Sequence, residues 1–556
     1  MFNVKINNSS IYPGAVRDAR IREYLPVKKI IFMSEGELKP ENPGVLVGNS
    51  IIQSYVHPAP TVCRLKPGCT IILDFGIELN GGIRIVTGGN DVKTRKVKVN
   101  FGESVSEAMG TPNNDHAMHE TVIDLAPMAH NEVGNTGFRF VSLNVPADTA
   151  ETLEIINVLA VAIYRDLPYV GAFKCSDERL NQIWKTGAYT VHLNMQDFLY
   201  DGIKRDRLVW MGDMNPEIRV VCAVFDDCNT VENSMDFVRD HAELPSFMNT
   251  VNAYSLWWII SQYDWYMYRG NLEYLQRQHG YLAQLLRLFT GYVGPDGVEK
   301  LPEWRFLDWP SQGDPVAIHA GLQGLMAWAF ASGEKLSLAL NDSDTASLCA
   351  ITRRRLLTHN PDGGMSKQAG ALKAIGGIAD QIQVNKTVLA QNPFSGLSTF
   401  FGYYMMQARA LAGDYDGATE AIRRYWGGML DIGATSFWED FDLDWLNNAG
   451  RIDEMPVPGK RDIHADYGNF CYKGLRHSLC HGWSGGPTAW LSEHLLGVKP
   501  LEPGFKEAQV TPQLAGLEWL EGAMPTPYGP IRVTAEKGAN GKVKFDVKKP
   551  AKVILR

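Results

Sequence analysis

Short runs of alternating apolar residues mark the start of the chain. They are Ile71, Leu73 and Phe75, then Ile83 and Ile85, then Val97, Val99 and Phe101, then Phe138 and Phe140. Each run is bounded by Gly, Asn, Asp or Pro, and a period of two with such boundaries predicts a β-sandwich rather than βαβ units over residues 1–170. Gly81-Gly82 and Gly88-Gly89-Asn90 supply turn chemistry between strands. The period changes after Phe173. Ser176 or Asp177 is placed to cap a helix whose apolar positions Leu180, Ile183, Trp184 and Val191 keep helical spacing. Across residues 171–497, helical patterns at 255–268, 272–288, 317–338, 343–358, 399–412, 416–427 and 487–496 alternate with Gly- and Pro-bearing loops. Such a block predicts an α/α toroid whose loops meet at a central cleft, and it lacks the fixed period of a helical-repeat array. Alternation returns at Ile531 and Val533, then at Val543, Phe545 and Val547, around an Asn540-Gly541 hairpin signal, so residues 498–556 predict a small closing β-sandwich.

Length and charge narrow the partners. At 556 residues the chain exceeds one compact core, and its net charge of −8 argues against nucleic acid or an anionic membrane surface as the main partner. No run approaches the ~18 apolar residues of a membrane span. The start, Met1-Phe-Asn-Val-Lys-Ile-Asn-Asn, lacks the charged and apolar regions of a secretory signal, so the chain as given predicts a cytoplasmic protein, or a periplasmic one if a signal has been trimmed. The eight cysteines form no metal-type pattern; Cys63 and Cys69 are near enough to bridge a loop, and the others read as small core residues. His116, His119 and Glu120 have tempting spacing but no third imidazole nearby, so no metal or cofactor is expected. The oligomeric state is not legible.

The chemistry concentrates at residues 201–213, Asp-Gly-Ile-Lys-Arg-Asp-Arg-Leu-Val-Trp-Met-Gly-Asp, where six charged groups surround one tryptophan. Carboxylates and guanidinium groups hold sugar hydroxyls in pairs, and an aromatic face covers the C–H side of the ring. Two further acid–aromatic points follow, Asp308-Trp309 and Trp438-Glu439, both in apparent loops. Glycoside hydrolysis needs two carboxyl groups, and acids remote in sequence meet that need when loops of one toroid converge. Bland readings stay open beside these. Arg205 and Arg207 could simply pair with Asp201 and Asp206, Glu439 could be a surface acid beside Asp440 and Asp442, and His481 a satisfied interior group. Trp304 reads as core, as does the aromatic run from Trp257 to Tyr268.

Asp201-Gly-Ile-Lys-Arg205-Asp206-Arg207-Leu208-Val-Trp210-Met-Gly212-Asp213 resembles the Asp-Cys-Pro-x-Arg-Glu-Arg-Leu-Gly-Trp-x-Gly-Asp signature of the α-L-rhamnosidases of glycoside hydrolase family seventy-eight. Asp308-Trp309, Trp438-Glu439 and the stretch Ser478–Pro487 around His481 and Trp483 are similar to further points of that family, as are Asp74-Phe-Gly76, Phe101-Gly-Glu103 and Leu495–Phe505. The resemblance implies a multidomain protein with a central all-α (α/α)6 barrel between N-terminal and C-terminal β-sandwich domains. It implies inverting, exo-acting release of terminal α-L-rhamnose from plant-type glycans or glycosides, without a cofactor. Asp206 would be the general acid and Glu439 the general base. Asp201, Arg205, Asp213 and His481 would hold hydroxyls, with Asp308 beside them. Trp210, Trp309 and Trp438 would wall the 6-deoxy methyl, which aromatic surface accepts without stranding a polar partner.

The chain departs from the signature where Gly202-Ile203 replaces Cys-Pro and Asp206 replaces Glu. The shorter acid reaches the glycosidic oxygen only if its backbone moves inward, and the flanking Lys204, Arg205 and Arg207 favour its ionised form, opposite to the need of a general acid. Two other functions compete: a lyase on rhamnosyl-glucuronate, using Tyr or His as base with Arg205 on the uronate, and a non-catalytic glycan-binding relative.

Overall fold

The computed structural model describes residues 16–55, 61–89, 93–111, 117–226, 229–302, 304–538 and 541–556. His116, Cys228, Asn90, Asn540 and the first eight residues therefore lie outside the described residues. Amino-terminal strands join one antiparallel sheet in the order Arg20–Pro26, Leu153–Arg165, Thr70–Thr87, His130–Asn144, Arg95–Gly102 and Glu120–Leu125. Lys29–Met33 pairs with Thr70–Thr87, and Cys63–Leu65 pairs with Leu153–Arg165. The alternating residues named above form its core: Ile71, Leu73, Ile83, Ile85, Val97, Val99 and Phe138 are all buried.

Gly81-Gly82 is not a turn. It lies inside the 18-residue strand Thr70–Thr87, at a shift of register opposite Thr136 and Val133. A Cβ on Gly81 would sit 2.0 Å from the carbonyl oxygen of Val161, and one on Gly82 would sit 2.3 Å from that of Val133. The pair lets neighbouring backbones close in, a use of glycine that sequence alone cannot separate from a turn. Cys63 and Cys69 are buried free thiols, not a bridge.

A helical core follows. Asp177 caps Glu178–Asn194 by accepting from the N–H groups of Arg179 and Leu180. The predicted segments appear as Asn252–Arg269, Leu272–Thr290, Pro315–Ala339, Ser343–Leu356, Gly402–Leu411 and Tyr415–Asp431. The last predicted one is Gly486–Trp490 continued by a wider turn, Leu491–Leu495. Among the described residues of this core, Met211–Val224, Asn229–Asp240, Lys367–Gly376 and Gln381–Val384 carry no clear sequence signal. Met211–Val224 contains Pro216 and Gly212, yet nearly every one of its residues is buried, and packing on all sides overrides poor propensity.

The C-terminal strands form two small sheets. One runs Val498–Pro500, Glu507–Val510, Ile554–Leu555; the other runs Val543–Lys548, Ile531–Lys537, Trp519–Met524 and then Ala172–Cys175. The edge strand Ala172–Cys175 thus comes from just before the first core helix, so the carboxyl-terminal sheet is sewn to the helical core through the chain itself. Among the described residues, no helix is long and apolar enough to cross a membrane.

Candidate active site

The charged loop lies between Glu178–Asn194 and Met211–Val224. It is pinned at its start, where Asp201 donates its N–H to the carbonyl of Leu208 and accepts from Gly482 N–H, while Gly202 bridges to His481. The Asp201 carboxylate takes the Leu208 N–H at 2.9 Å. This closes the loop into a tight turn, and Asp206 and Arg207 adopt left-handed backbone at φ 57° and 56°. Consecutive non-glycine residues in that region are strained and persist only where their surroundings fix them. Arg207 is fixed by the carbonyl and side-chain oxygens of Asn135 in the amino-terminal sheet. Asp213, read as part of the loop, belongs instead to the first turn of Met211–Val224.

These elements enclose a cavity of about 280 Å³. Asp201, Arg205, Asp206, Trp210, Asp213, Trp309, Glu439 and His481 all line it, although they come from four separate stretches of chain. Two predicted wall residues are elsewhere. Trp438 is 1% exposed and packs edge-on against Phe441 in the core, because Glu439 turns toward the cavity and its neighbour must turn away. Asp308 is buried behind the wall, where it caps the turn of Trp309 by accepting from Ser311 N–H and Oγ and from Gln368 Nε2. Sequence reasoning missed Tyr254, Phe306, Arg476 and Trp483, and it assigned Trp304 to the core; Trp304 is 43% exposed and lines the cavity. Trp483 carried a signal in its position two residues after His481, whereas nothing marked Tyr254 among the other aromatic residues of its helix.

One guanidinium organises the acids. Arg205 Nη2 lies 2.5 and 2.8 Å from the two oxygens of Glu439, and Nη1 lies 3.3 Å from Asp206 Oδ1. Both acids therefore hold the same guanidinium, each through one of its two terminal nitrogens. Burial works to raise Glu439, but Arg205, with His481 next in strength, outweighs it and holds the carboxyl at about 2. Ser478 N–H adds a hydrogen bond at 3.1 Å. Glu439 is 5% exposed, so it is not a surface acid. Asp206 is different, with a side chain 22% exposed at the mouth of the cavity. Burial pushes Asp213 and, further, Asp201 above the usual carboxylate range. His481 Nε2 meets Asp213 Oδ2 at 3.0 Å; burial would lower this imidazole, but Glu439 and Asp213 raise it, favouring the cation. Trp210 meets Tyr254, and Phe306 meets Trp309, edge to face along the aromatic side.

The loop is also held from behind. Lys204 is buried with its ammonium 3.1 Å from Glu103 and 3.0 Å from Glu107 of the amino-terminal region, and it donates to the carbonyls of Leu475 and His477. Glu103, Glu107 and His464 stand at metal-like spacing, with the single Lys204 ammonium already seated against both carboxylates. Glu103 also accepts from Leu479 N–H, one residue beyond the Ser478 that binds Glu439.

Residues 168–323 match the family model of the bacterial α-L-rhamnosidase six-hairpin glycosidase domain, and residues 497–556 match that of the bacterial α-L-rhamnosidase C-terminal domain. An α-L-rhamnosidase of Alteromonas sp. (strain LOR) is 25% identical over 531 aligned residues, covering 86% of this chain and 54% of that protein, so the chain spans about half the length of its curated relative. The fold is similar to that of the family 78 rhamnosidase of Bacillus sp. GL1, with TM-score 0.72, 20% identity and coverage of 90% and 54% of the two chains. It is also similar to a Klebsiella oxytoca rhamnosidase solved with rhamnose bound, with TM-score 0.67, 18% identity and coverage of 86% and 96%. The six-hairpin domain match includes the loop 201–213, Tyr254 and Trp309, while Glu439, Cys471, Arg476, His481 and Trp483 complete the cavity from between the two matched regions.

Proposed function

We propose that the chain is an exo-acting, inverting glycoside hydrolase that releases terminal α-L-rhamnose from plant-type glycans or glycosides, on a helical core arranged as an (α/α)6 barrel. The observation that carries this reading is the single Arg205 guanidinium between two carboxylates in one aromatic-walled cavity. Glu439, ionised and buried, is the base that activates water. Asp206, at the mouth, is the acid that protonates the leaving oxygen, presented from a left-handed backbone. Asp201, Asp213 and His481 hold hydroxyls, and Trp210 and Trp309 accept the deoxy methyl. The lyase reading is less well supported: Arg205, its candidate uronate clamp, is bound to Glu439, and the Glu439 and Asp213 carboxylates around His481 favour its protonated form.

The test is hydrolysis of p-nitrophenyl α-L-rhamnopyranoside and of rhamnose-capped oligosaccharides, with the anomer followed by NMR. Inversion requires β-L-rhamnose as the first product, and Asp206→Asn should lose turnover on poor leaving groups more than on nitrophenolate. Absence of any released rhamnose, with sugar binding intact, would leave a binding protein instead.

A further inference from the structure

Behind the Asp213 side of the cavity lies a carboxyl that the proposed reaction does not use. Glu217 stands on Met211–Val224 one turn after Asp213, so the two acids share a face of that helix. Its side chain is fully buried, and among the described residues neither Oε1 nor Oε2 has a hydrogen-bond partner. Buried polar atoms are rarely left so, and a carboxylate ionised without donors would be the costliest case. Burial first, then repulsion from Asp213 and Asp201, pushes Glu217 well above the usual carboxylate range, which favours the neutral acid.

What this acid touches gives it a task. A Cβ on Gly482 would sit 1.9 Å from Glu217 Oε1, so the carboxyl lies directly on the Cα of that glycine. Gly482 follows His481, and its N–H donates to the Asp201 carbonyl at 2.8 Å. The backbone of His481 is bonded on both sides, its N–H to the Phe437 carbonyl at 2.9 Å and its carbonyl to Ser484 Oγ at 2.6 Å. Its imidazole is tethered less firmly. Nε2 donates to Asp213 Oδ2 at 3.0 Å, whereas Nδ1 is buried without a partner among the described residues. A ring bonded at one nitrogen depends on packing for its orientation. Trp483 supplies one contact, at 4.3 Å between ring centres. Glu217 supplies the support of the next residue, so one helix holds His481 twice: by a hydrogen bond from Asp213 and, a turn later, by a carboxyl pressed on Gly482.

We propose that Glu217 is a positioning residue: its carboxyl, seated on Gly482, fixes the turn that holds His481 against Asp213 and thereby sets the grip on a sugar hydroxyl. The sugar part deepens the rhamnosidase reading and rests on it; the placing of His481 does not. Two readouts keep these apart, the affinity for methyl α-L-rhamnoside by calorimetry and the His481 Nε2–H signal by NMR of histidine-labelled protein. Glu217→Gln keeps the shape without a charge and should stay within about twofold of the wild type, whereas Glu217→Ala and Gly482→Ala should each weaken the rhamnoside about tenfold and shift the His481 signal. Glu217→Ala makes room for the methyl group that Gly482→Ala introduces. The double variant should therefore bind more tightly than Gly482→Ala alone and return the His481 signal toward its wild-type position. Losses that simply add in the double variant overturn the proposal, as does an unmoved His481 signal in either alanine variant, or a loss in Glu217→Gln as large as in Glu217→Ala. If Gly482→Ala does not fold, the contrast between Glu217→Gln and Glu217→Ala decides by itself. A wild type that binds no rhamnoside ends the rhamnosidase reading, while the His481 signals still decide the role of Glu217.

Discussion

Lys204 and Arg205 are consecutive cations on one loop, and their side chains leave it in opposite directions. Lys204 reaches back to Glu103 and Glu107 at 3.1 and 3.0 Å, whereas Arg205 reaches forward to Glu439 at 2.5 Å. Both pairs are buried, yet their electrostatics differ. Two carboxylates share the lysine, with Glu78 close by, and burial pushes Glu103 up to about 7 despite Lys204. One carboxylate receives a two-pronged guanidinium, and Glu439 falls to about 2 although burial opposes it. The lesson is that the amino-terminal sheet is part of the site's framework: it anchors the loop through Lys204, and Arg205 is thereby aimed at the cavity.

The largest way to break the comparison is on the forward side. Glu439→Gln should lower turnover of the aryl rhamnoside about 10²–10⁴-fold, the range of a lost general base, with binding of rhamnose retained. Undiminished turnover would remove Glu439 from the reaction. On the rear side, Lys204→Met strands two buried carboxylates and should cost about 3–5 kcal/mol in denaturant unfolding. A loss below about 1 kcal/mol would show that the rear cluster anchors nothing.

The pH dependence sharpens the contrast because the signs differ. Glu439 is depressed from 4.5 to about 2 in the folded protein, so its contribution, on the order of 3 kcal/mol, is present above pH 4.5 and is lost as pH falls through about 2. Glu103 is raised from 4.5 to about 7, so stability falls as pH rises between those values. Arg205→Met should flatten the acid limb, and Glu103→Gln should flatten the fall between pH 4.5 and 7, both read from denaturant melts across pH. The smallest effect concerns Trp438, the neighbour of Glu439 that faces the core. Trp438→Phe should lose about 1–3 kcal/mol of stability and leave the KM for aryl rhamnoside within about twofold. A large rise in KM with no loss of stability would return it to the cavity wall.

The loop 201–213 stood out by its charges and tryptophan, and Trp309, Glu439 and His481 by the family resemblance; the structure brings them to one cavity. Side of approach was not legible. Trp438 and Asp308 have the right residue types one position from true wall residues, and only the local turn decides which neighbour faces inward. Tyr254 and Phe306 look like any core aromatic until five stretches of chain converge. Gly81-Gly82 shows the same limit in the sheet, since close approach of Val161 and Val133 is a property of partners remote in the chain.

By itself the sequence determined the periodicities that separate sheet from helix, the caps that start helices such as Glu178–Asn194, and the concentration of charge around Trp210 in the loop 201–213. These are local matters, set by propensity and residue chemistry within a few positions. Only the tertiary structure decided that Arg205 lies between Asp206 and Glu439, that Lys204 ties the loop to another part of the chain, and that Glu217 lies on Gly482 beside His481. Ion pairs, pKa shifts and cavities arise from groups hundreds of residues apart meeting where water is excluded, and no local pattern encodes that meeting.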